Sequence, residues 1–394
     1  MNATTNKLTM SLATLLLVTI VFPVFAEAQE DYVPLPGVFP PADVGKYIAG
    51  ELVIIDPVNR RGAIRLDGGG PSGRYHTGPL HYFALLPYAV VWHNGAMAEI
   101  RDIPIGTHVH GYFLLPPKGE ENTIPPPPID QKKFEIKQNH VVTLEDDFSF
   151  YSRRGQSWKV VSVDREKEKI AVVPLGKMAK DGINSPYTFD IDIVTRVWKN
   201  RGLVDLKDVA PDSIVQFNLT WSQGWGDKEF SIADIWLDEE SRNFATEMQR
   251  RRHVRYQRQR WSPGWIDSIE HFDFGGGIVT VTFFAVDPSL ISEFKKEQED
   301  GFGVACAEKT LRTWFHRADK KIGKVIEWKE IKNPGQGSSG IQVRLKFAEL
   351  LDGYRPAACV RVKCLSWRFV TMPPEERVTS REEQKRGETL SLPY

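Results

Sequence analysis

The sequence predicts an all-β protein of three tandem small antiparallel barrels, with one or two helices besides. Three observations carry this prediction: paired runs of alternating apolar and polar residues, the return of one run at a fixed spacing, and an ordinary globular composition. The chain has 394 residues, of which 41% are hydrophobic and 26% are charged. Because this length exceeds what one hydrophobic core usually holds, two or three domains are expected.

Two segments predict β-hairpins at the start of successive units. The first reads GELVIIDPVNRRGAIRL and the second reads SWKVVSVDREKEKIAVVPL. Each joins two apolar runs through a polar turn, which begins after Asp56 in the first segment and after Asp164 in the second. Polar turns between such runs are typical of antiparallel strand pairs.

A weak internal repeat connects the two units that begin with these hairpins. Residues 79–113 align with residues 185–219 at a constant offset of 106, without a gap. The identical pairs are Phe83 and Phe189, Val91 and Val197, Trp92 and Trp198, Asn94 and Asn200, Asp102 and Asp208, and Val109 and Val215. An ungapped register with matched apolar positions favours a duplicated fold.

A third set of alternating runs lies near the C-terminus. These runs are GIVTVTFF at 277–284, GIQVRLKF at 340–347 and ACVRVKCLSW at 358–367. Each unit thus offers about five strands in roughly 105 to 125 residues, which suits a small antiparallel barrel of the OB type. A β-sandwich is the alternative arrangement of the same strands.

The order of these elements resembles the exported OB-like repeat domains of unknown function that are common in bacterial hypothetical proteins. In those domains a hairpin ending in Val-Asp is followed by a strand, a glycine turn, an LxDL segment and a further strand. The matching stretches here are VVSVD, TRVW, LVDLKDV and DSIV, together with LVIID, IRDI and GTHV. The resemblance covers about residues 45–237 and departs at Asp212, where the family has glycine. It implies the fold and an exported location, and it brings no activity with it.

Residues 239–262 predict a charged linker helix between the second and third units. Glu239 and Glu240 lie at its start and six arginines lie between 250 and 260, so both ends complement the helix dipole. The apolar stripe fails after Met248, so the helix is expected to be mostly solvated. The expected division of the chain is a signal peptide at 1–28, a first barrel at 29–155 with a proline-rich loop at 116–130, a second barrel at 156–238, this helix, a third β-rich domain at 263–372 and a polar tail at 373–394.

The N-terminus has the three parts of a secretory signal peptide. Lys7 supplies a positive charge, residues 12–25 form an apolar run, and Ala26 and Ala28 offer cleavage sites. This run is shorter than the ~20 residues that a spanning helix needs, although an uncleaved anchor is the alternative. We therefore expect a secreted or periplasmic protein of bacterial origin, without a transmembrane anchor after cleavage.

Charge predicts a local rather than a global anion-binding surface. Lysine plus arginine number 51 and aspartate plus glutamate also number 51, so the molecule as a whole attracts no polyanion. Arginines on the linker helix can bind phosphate or sulfate groups, and the candidate contacts are Arg251, Arg255 and Arg258. The alternative is a charged helix face neutralised by neighbouring acids. Because the protein is expected to be exported, intracellular nucleic acid is not an expected partner.

Aromatic side chains on one loop form a second candidate ligand surface. The stretch TWSQGWG at 220–226 places Trp221 and Trp225 on a glycine-bearing loop of the second unit. Indole rings in such a position stack on sugar rings or bases. Packing against the neighbouring barrel is the alternative.

His108 and His110 are the candidate metal ligands. Their i,i+2 spacing puts both imidazoles on one strand face, but no third ligand is evident and the second unit has Ile214 and Gln216 instead. The chain contains no GxSxG, HExxH or phosphate-loop motif, so neither an enzyme nor a cofactor is expected.

Two function classes follow from these observations. The first is an exported non-enzymatic binding or structural protein, whose partner is an anionic or carbohydrate polymer or another protein. The alternative is an exported metal-assisted hydrolase with a site at a barrel interface that includes His108 and His110. Three cysteines, Cys306, Cys359 and Cys364, are too few for a disulfide scaffold; one bridge to Cys306 and plain buried thiols are both open.

Overall fold

Strands dominate the part of the chain that the structure describes. The computed structural model describes residues 31–367, except 43, 58, 68–78, 125–134, 177–185, 222–229, 301–302 and 309–319. The predicted signal peptide, the polar tail and residues 125–130 of the proline-rich loop lie outside these residues. The described strands form three successive small barrels, which confirms the predicted fold class.

Three α-helices accompany the strands, one more than expected. They are α1 (Asp147–Arg153), α2 (Glu239–Arg260) and α3 (Pro288–Asp300). Among the described helices, none combines the length and the apolar character that crossing a bilayer requires.

The first barrel is a ring of five strands. Its strands are β1 (Lys46–Asp56), β2 (Arg61–Leu66), β3 (Leu80–His93), β5 (His108–Leu114) and β6 (His140–Asp146), with β4 (Ala96–Ala98) as a short extension. The order β2-β1-β5-β6-β3 closes through a β2–β3 pairing, and β3 and β6 run parallel. The predicted hairpin is the β1–β2 pair. The parallel pair is a departure from the expected antiparallel barrel.

The second barrel follows the same path. Its strands are β7 (Ser157–Asp164), β8 (Lys169–Leu175), β9 (Tyr187–Asp190), β10 (Arg196–Lys199), β11 (Gly202–Val204), β12 (Ile214–Trp221) and β13 (Phe230–Trp236). The ring β9-β8-β7-β12-β13 closes where Ser231 on β13 pairs with Asp190 on β9. β10 runs parallel to β13, as β3 runs parallel to β6.

The third barrel closes with six strands, all antiparallel. They are β14 (Ser262–His271), β15 (Gly277–Phe284), β16 (Gly303–Glu308), β17 (Lys320–Glu330), β18 (Ser338–Phe347) and β19 (Cys359–Cys364). Val360, Val362 and Cys364 of β19 lie in its core, as the alternation in the sequence predicts. Cys359 and Cys364 are free thiols, whereas the side chain of Cys306 lies outside the description.

The first and third barrels share part of one hydrophobic core. Trp265 and Phe284 of the third barrel belong to the core cluster of the first. Phe39, in the segment before β1, packs on both rings with centroid distances of 4.1 Å to Trp265 and 5.9 Å to Phe284. The edge of Tyr88 closes this cluster at 5.5 Å from Trp265. The first and third barrels are therefore packed against each other.

The linker helix α2 buries a polar face, so the prediction of a mostly solvated helix is wrong. Gln249, His253 and Gln257, one turn apart, are all buried. The amide of Gln249 donates to the carbonyl of Met97 in the first barrel, and the amide of Gln257 donates to the carbonyl of Ala285 in the third. The apolar stripe expected of a packed helix is missing because hydrogen-bonding side chains hold this one.

Candidate functional site

A cluster of buried histidines and carboxylates lies where the first barrel meets the second. His108 and His110 project from the same face of β5, as their spacing predicts. Asp147, the first residue of α1, lies between them: its Oδ1 is 2.8 Å from Nδ1 of His108 and 3.0 Å from Nε2 of His110. These three side chains offer one donor atom each within 4.8 Å of one another.

A second ring of polar groups holds each member of the cluster. Nε2 of His108 lies 3.1 Å from Oδ2 of Asp67, which follows β2. Nδ1 of His110 lies 2.7 Å from the hydroxyl of Tyr47. The other oxygen of Asp147 accepts a hydrogen bond from the backbone N–H of Leu219 on β12, at 2.9 Å. Each ring and the carboxylate are thus fixed from two sides.

Local sequence explains why a carboxylate stands at this point. Strand β6 ends at Asp146, whose side chain accepts the N–H of Ser149 at 2.8 Å and so caps α1. Asp147 is then the first helical residue, where a negative charge complements the helix dipole. The chain reverses between β6 and β7, which turns Asp147 towards β5 and β12.

Burial and ion pairing shift the pKa values of the cluster in different directions. Burial by itself lowers the pKa of His108, but the Asp147 and Asp67 carboxylates raise that pKa well above its usual value. Burial dominates at His110 and lowers its pKa. Although burial opposes ionisation of Asp147, the neighbouring His108 holds the pKa of that carboxyl well below its usual range. The neighbouring carboxylates thus favour the charged form of His108, whereas burial favours the neutral form of His110.

Aromatic rings seal the cluster from solvent. Phe150 stacks on the His110 ring at a centroid distance of 3.8 Å, and Phe230 lies 4.7 Å from the His108 ring. His108 is 5% exposed, His110 is 3% exposed and Asp147 is fully buried. Such a site can hold a cation or a proton network, but it offers no surface to a large substrate.

Sequence reasoning found the two histidines and missed their partners. Asp147, Asp67 and Tyr47 lie 39, 41 and 63 residues from the histidine that each contacts. The carboxylate that the metal hypothesis required is thus present. The only signal for it was the strand-ending Asp146 before a short helix, which has a counterpart in Asp238 before α2.

The three predicted arginines line one groove on the opposite side of α2. Arg251, Arg255 and Arg258 face a groove of about 750 Å³, whose far wall is formed by α3 and by the chain after β19. The lining residues are Glu247, Arg250, Arg251, Val254, Arg255, Arg258, Gln259, Ser289, Glu293, Ser366 and Trp367. Four arginines and two glutamates leave the groove with a net positive charge.

Two of the predicted arginines are paired. Arg251 donates to Glu247 at 2.7 Å on the same helix, and Arg258 donates to Glu293 of α3 at 2.5 Å. The neighbouring Arg250 donates to Asp287 at 3.2 Å. Arg255 makes no hydrogen bond or ion pair within the described part of the chain. Neighbouring acids therefore neutralise part of this helix face, as the alternative to a ligand site expects. Arg255 is not part of that neutralised set.

Trp221 lies at the end of β12 beside a cationic side chain of the first barrel. The guanidinium of Arg65 is 4.8 Å from its ring centroid, and Phe230 lies 6.3 Å away edge-on. This contact is an instance of the packing between barrels that was the alternative to ligand stacking. Trp225 lies outside the described residues.

Comparison with known proteins contributes no argument about this chain. No protein-family model and no curated protein matches this chain. One solved structure, a copper(II)-bound tryptophan-to-alanine variant of CusF from Escherichia coli, is 20% identical. The alignment covers 21% of this chain and 90% of that one, with a TM-score of 0.15. Likeness at this level carries no argument about function.

Proposed function

We propose that this chain is an exported, non-enzymatic protein that binds an anionic polymer in the groove beside α2. The observation that carries the proposal is the row of arginines along that groove. Arg251, Arg255 and Arg258 line one wall, and Arg255 has no ion-pair partner among the described residues. Guanidinium groups bind phosphate, sulfate and carboxylate through two parallel hydrogen bonds, so each is a ready contact for an anionic group.

The spacing of the row suits a repeating ligand. Seven residues of helix separate Arg251 from Arg258, a rise of about 10 Å. Successive charges on a polyanion can therefore meet successive guanidinium groups along the same wall. Trp367 closes the groove, and its indole N–H is already committed to Glu293 at 2.5 Å. Glu293 on the wall opposite the arginines thus accepts from both Trp367 and Arg258.

Export and duplication belong to the same proposal. Export is supported by the positive, apolar and small-residue segments at the N-terminus and by the resemblance to exported OB-like repeat domains. Duplication is supported by hydrogen bonds that recur at the end of each of the first two barrels. Asn94 and Asn200 donate their backbone N–H groups to Asp146 and Asp238, at 2.9 and 2.7 Å.

For the hydrolase alternative a third candidate metal ligand is present, but a substrate cannot reach it. Asp147 supplies the third group that the His108–His110 pair needed. However, a hydrolytic metal must keep an open position that a substrate can reach. Side chains that are 3% and 5% exposed behind Phe150 and Phe230 do not offer one. The cluster therefore lacks the access that hydrolysis needs, and we favour polymer binding at the groove.

Binding of the mature protein to sulfated, carboxylated and neutral polysaccharides, at low and high salt, tests the proposal. We expect binding to the anionic polymers that weakens steeply with salt, because screening acts on exposed charges. The triple variant Arg251→Ala, Arg255→Ala, Arg258→Ala should lose at least roughly tenfold in affinity, since each charge-assisted contact contributes about 1 kcal/mol or more.

A matched control removes the same charge elsewhere. Lys167, Lys199 and Lys207 are exposed on the second barrel, outside the groove. The variant with all three changed to alanine should keep the wild-type affinity within roughly threefold, because net charge alone contributes little at physiological salt. Equal losses in both triple variants, or no binding to any anionic polymer, would overturn the proposed function.

A further inference from the structure

We propose that His108, His110 and Asp147 bind one divalent first-row transition metal, with Zn²⁺ as the reference ion, and that the metal fastens the first barrel to α1 and the second barrel. The donor atoms are Nδ1 of His108, Nε2 of His110 and Oδ1 of Asp147. This site is separate from the arginine groove and does not depend on the function proposed for it.

Two of the three distances between donor atoms are close to those around a bound metal. Oδ1 of Asp147 lies 2.8 Å from one imidazole nitrogen and 3.0 Å from the other. Ligands at about 2.0–2.1 Å from a tetrahedral ion stand roughly 3.3 Å apart. The three donor atoms lie within 4.8 Å of one another, and the two imidazole nitrogens are the pair that sets this limit. Entry of the ion therefore requires the Asp147 oxygen to move back by a few tenths of an ångström and the two nitrogens to approach each other by about 1.5 Å.

The groups behind the ligands are those that a metal site needs. A ligating histidine usually hydrogen-bonds through its other ring nitrogen, which fixes the ring orientation. Here Nε2 of His108 meets the Asp67 carboxylate at 3.1 Å, and Nδ1 of His110 meets the Tyr47 hydroxyl at 2.7 Å. The remaining oxygen of Asp147 accepts the N–H of Leu219 at 2.9 Å. The positions of all three inner atoms are thereby fixed.

A bound metal would replace the protons on two imidazole nitrogens. Two imidazole nitrogens approach the same carboxylate oxygen, so each must carry a proton for the contact to be attractive. With both protons gone, two lone pairs and an anion would face one another in a buried site. A divalent cation placed between them removes that repulsion, and it leaves every outer hydrogen bond in place.

The donor set selects the class of ion. Two imidazoles and one carboxylate suit Zn²⁺, Cu²⁺, Ni²⁺ or Co²⁺, whereas Ca²⁺ and Mg²⁺ require six or more oxygen ligands. A water molecule would complete the coordination, and burial behind Phe150 and Phe230 keeps a polymer from it. We therefore assign the site a structural role, in which the ion links β5 to the start of α1.

The second barrel provides an internal contrast. Ile214 and Gln216 stand where the first barrel has His108 and His110, and Glu239 opens α2 where Asp147 opens α1. Glu239 is exposed. The ligand set is therefore a property of the first junction alone, although the strand and the helix cap that would carry it are present at both.

Titration of the metal-free full-length mature protein with Zn²⁺ tests the inference. We expect one ion per chain by calorimetry and by elemental analysis after dialysis, a rise in the unfolding temperature, and with Co²⁺ the visible absorption of a tetrahedral site. A stoichiometry of zero, or binding that leaves the unfolding temperature unchanged, would overturn the assignment.

His110→Gln is the decisive variant, because glutamine occupies the matching position in the second barrel and can still donate to Asp147. We expect its Zn²⁺ affinity to fall at least about 100-fold while its circular dichroism stays that of the wild type. The matched control is His271→Gln, since His271 is exposed and distant in the fold; it should bind as the wild type does. Unchanged affinity in His110→Gln would contradict the proposal.

Should His110→Gln not fold, the wild-type protein still decides the question. Electron paramagnetic resonance of the Cu²⁺ form should show splitting from two imidazole nitrogens. Oxygen-only coordination in that spectrum would place the ion elsewhere and would overturn the assignment.

Discussion

The junctions that follow the first and second barrels use the same hydrogen bonds in opposite surroundings. At both, an aspartate caps the next helix and also accepts a backbone N–H from a turn residue, Asn94 or Asn200. Asp146 is the last residue of β6, and Asp238 lies two residues after the end of β13. The serine three residues after each aspartate accepts the next N–H of the turn, at 2.9 Å in the first junction and 3.0 Å in the second.

Burial separates the two junctions. Asp146 is fully buried and accepts two further hydrogen bonds, from His93 Nδ1 at 2.8 Å and from the Asn218 amide at 2.9 Å. Asp238 is half-buried and serves the cap and the turn. Because an unmet hydrogen-bonding group costs more where water is excluded, the same motif should contribute far more to stability in the first junction than in the second.

Replacing each aspartate by alanine, in separate variants, should give the largest difference in stability between the two junctions. Asp146→Ala leaves four donors without their acceptor in a dry site, so we expect a loss of about 4 kcal/mol in the free energy of unfolding. Asp238→Ala removes a solvated cap and should cost about 1 kcal/mol. Urea denaturation of both variants measures the difference, and equal losses would show that burial does not set the strength of the motif.

The turn residue after each asparagine gives a second, smaller contrast. Gly95 has φ of +80°, and a Cβ there would lie 2.9 Å from Phe148 and 2.8 Å from Thr246 of α2. Gly95→Ala should therefore cost roughly 3 kcal/mol, from steric overlap and the left-handed backbone together. Arg201 has φ of +65° at the matching place, and its guanidinium lies over Phe244. Arg201→Ala should cost only about 0.5 kcal/mol.

The same denaturation series sharpens this result. If Gly95→Ala unfolds at the same urea concentration as Arg201→Ala, then the first turn is not packed beneath α2 in solution. Thr246→Ala is the control, because it removes one of the two clashing groups and should recover part of the loss in the double variant.

The pH dependence of stability through Asp238 should give the smallest effect. Burial opposes the charge of Asp238, but the N–H groups of Ser241 and Asn200 lower its pKa below the usual value. A carboxyl with a lower pKa when folded stabilises the protein above its unfolded pKa of about 3.9, and this stabilisation is lost as the pH falls through the folded value. The unfolding midpoint of the wild type relative to Asp238→Asn should be constant from pH 7 to 5 and should decrease below about pH 4. A constant difference down to pH 2.5 would contradict the role of the charge.

Sequence alone could predict what local alternation controls. Strands β15 and β18 follow their apolar patterns closely, because one face of each lies in the barrel core. The seven-residue helix α1 was beyond prediction, since most of its side chains are apolar or small and it has no amphipathic stripe. The polar buried face of α2 was missed for a related reason: its stability comes from hydrogen bonds to two barrels, which a hydrophobic pattern does not record.

The candidate metal site shows the same limit. His108 and His110 are neighbours on one strand, so their spacing revealed them. Asp147 and Asp67 reach the pair only after the barrel has closed and the chain has reversed at α1. No local pattern contains that information, because it resides in the pairing of β5 with β6 and in the course of the chain between β6 and β7.

The aromatic cluster that joins the first barrel to the third sets the order in which the chain can mature during synthesis. Tyr88 emerges early, while Trp265 and Phe284, which cover it, are made roughly 200 residues later. At about 5–20 residues per second, the interval is roughly 10 to 40 s. During that time the first-barrel side of this aromatic cluster lacks its third-barrel cover, so the first barrel reaches its final packing only after the third barrel has been made.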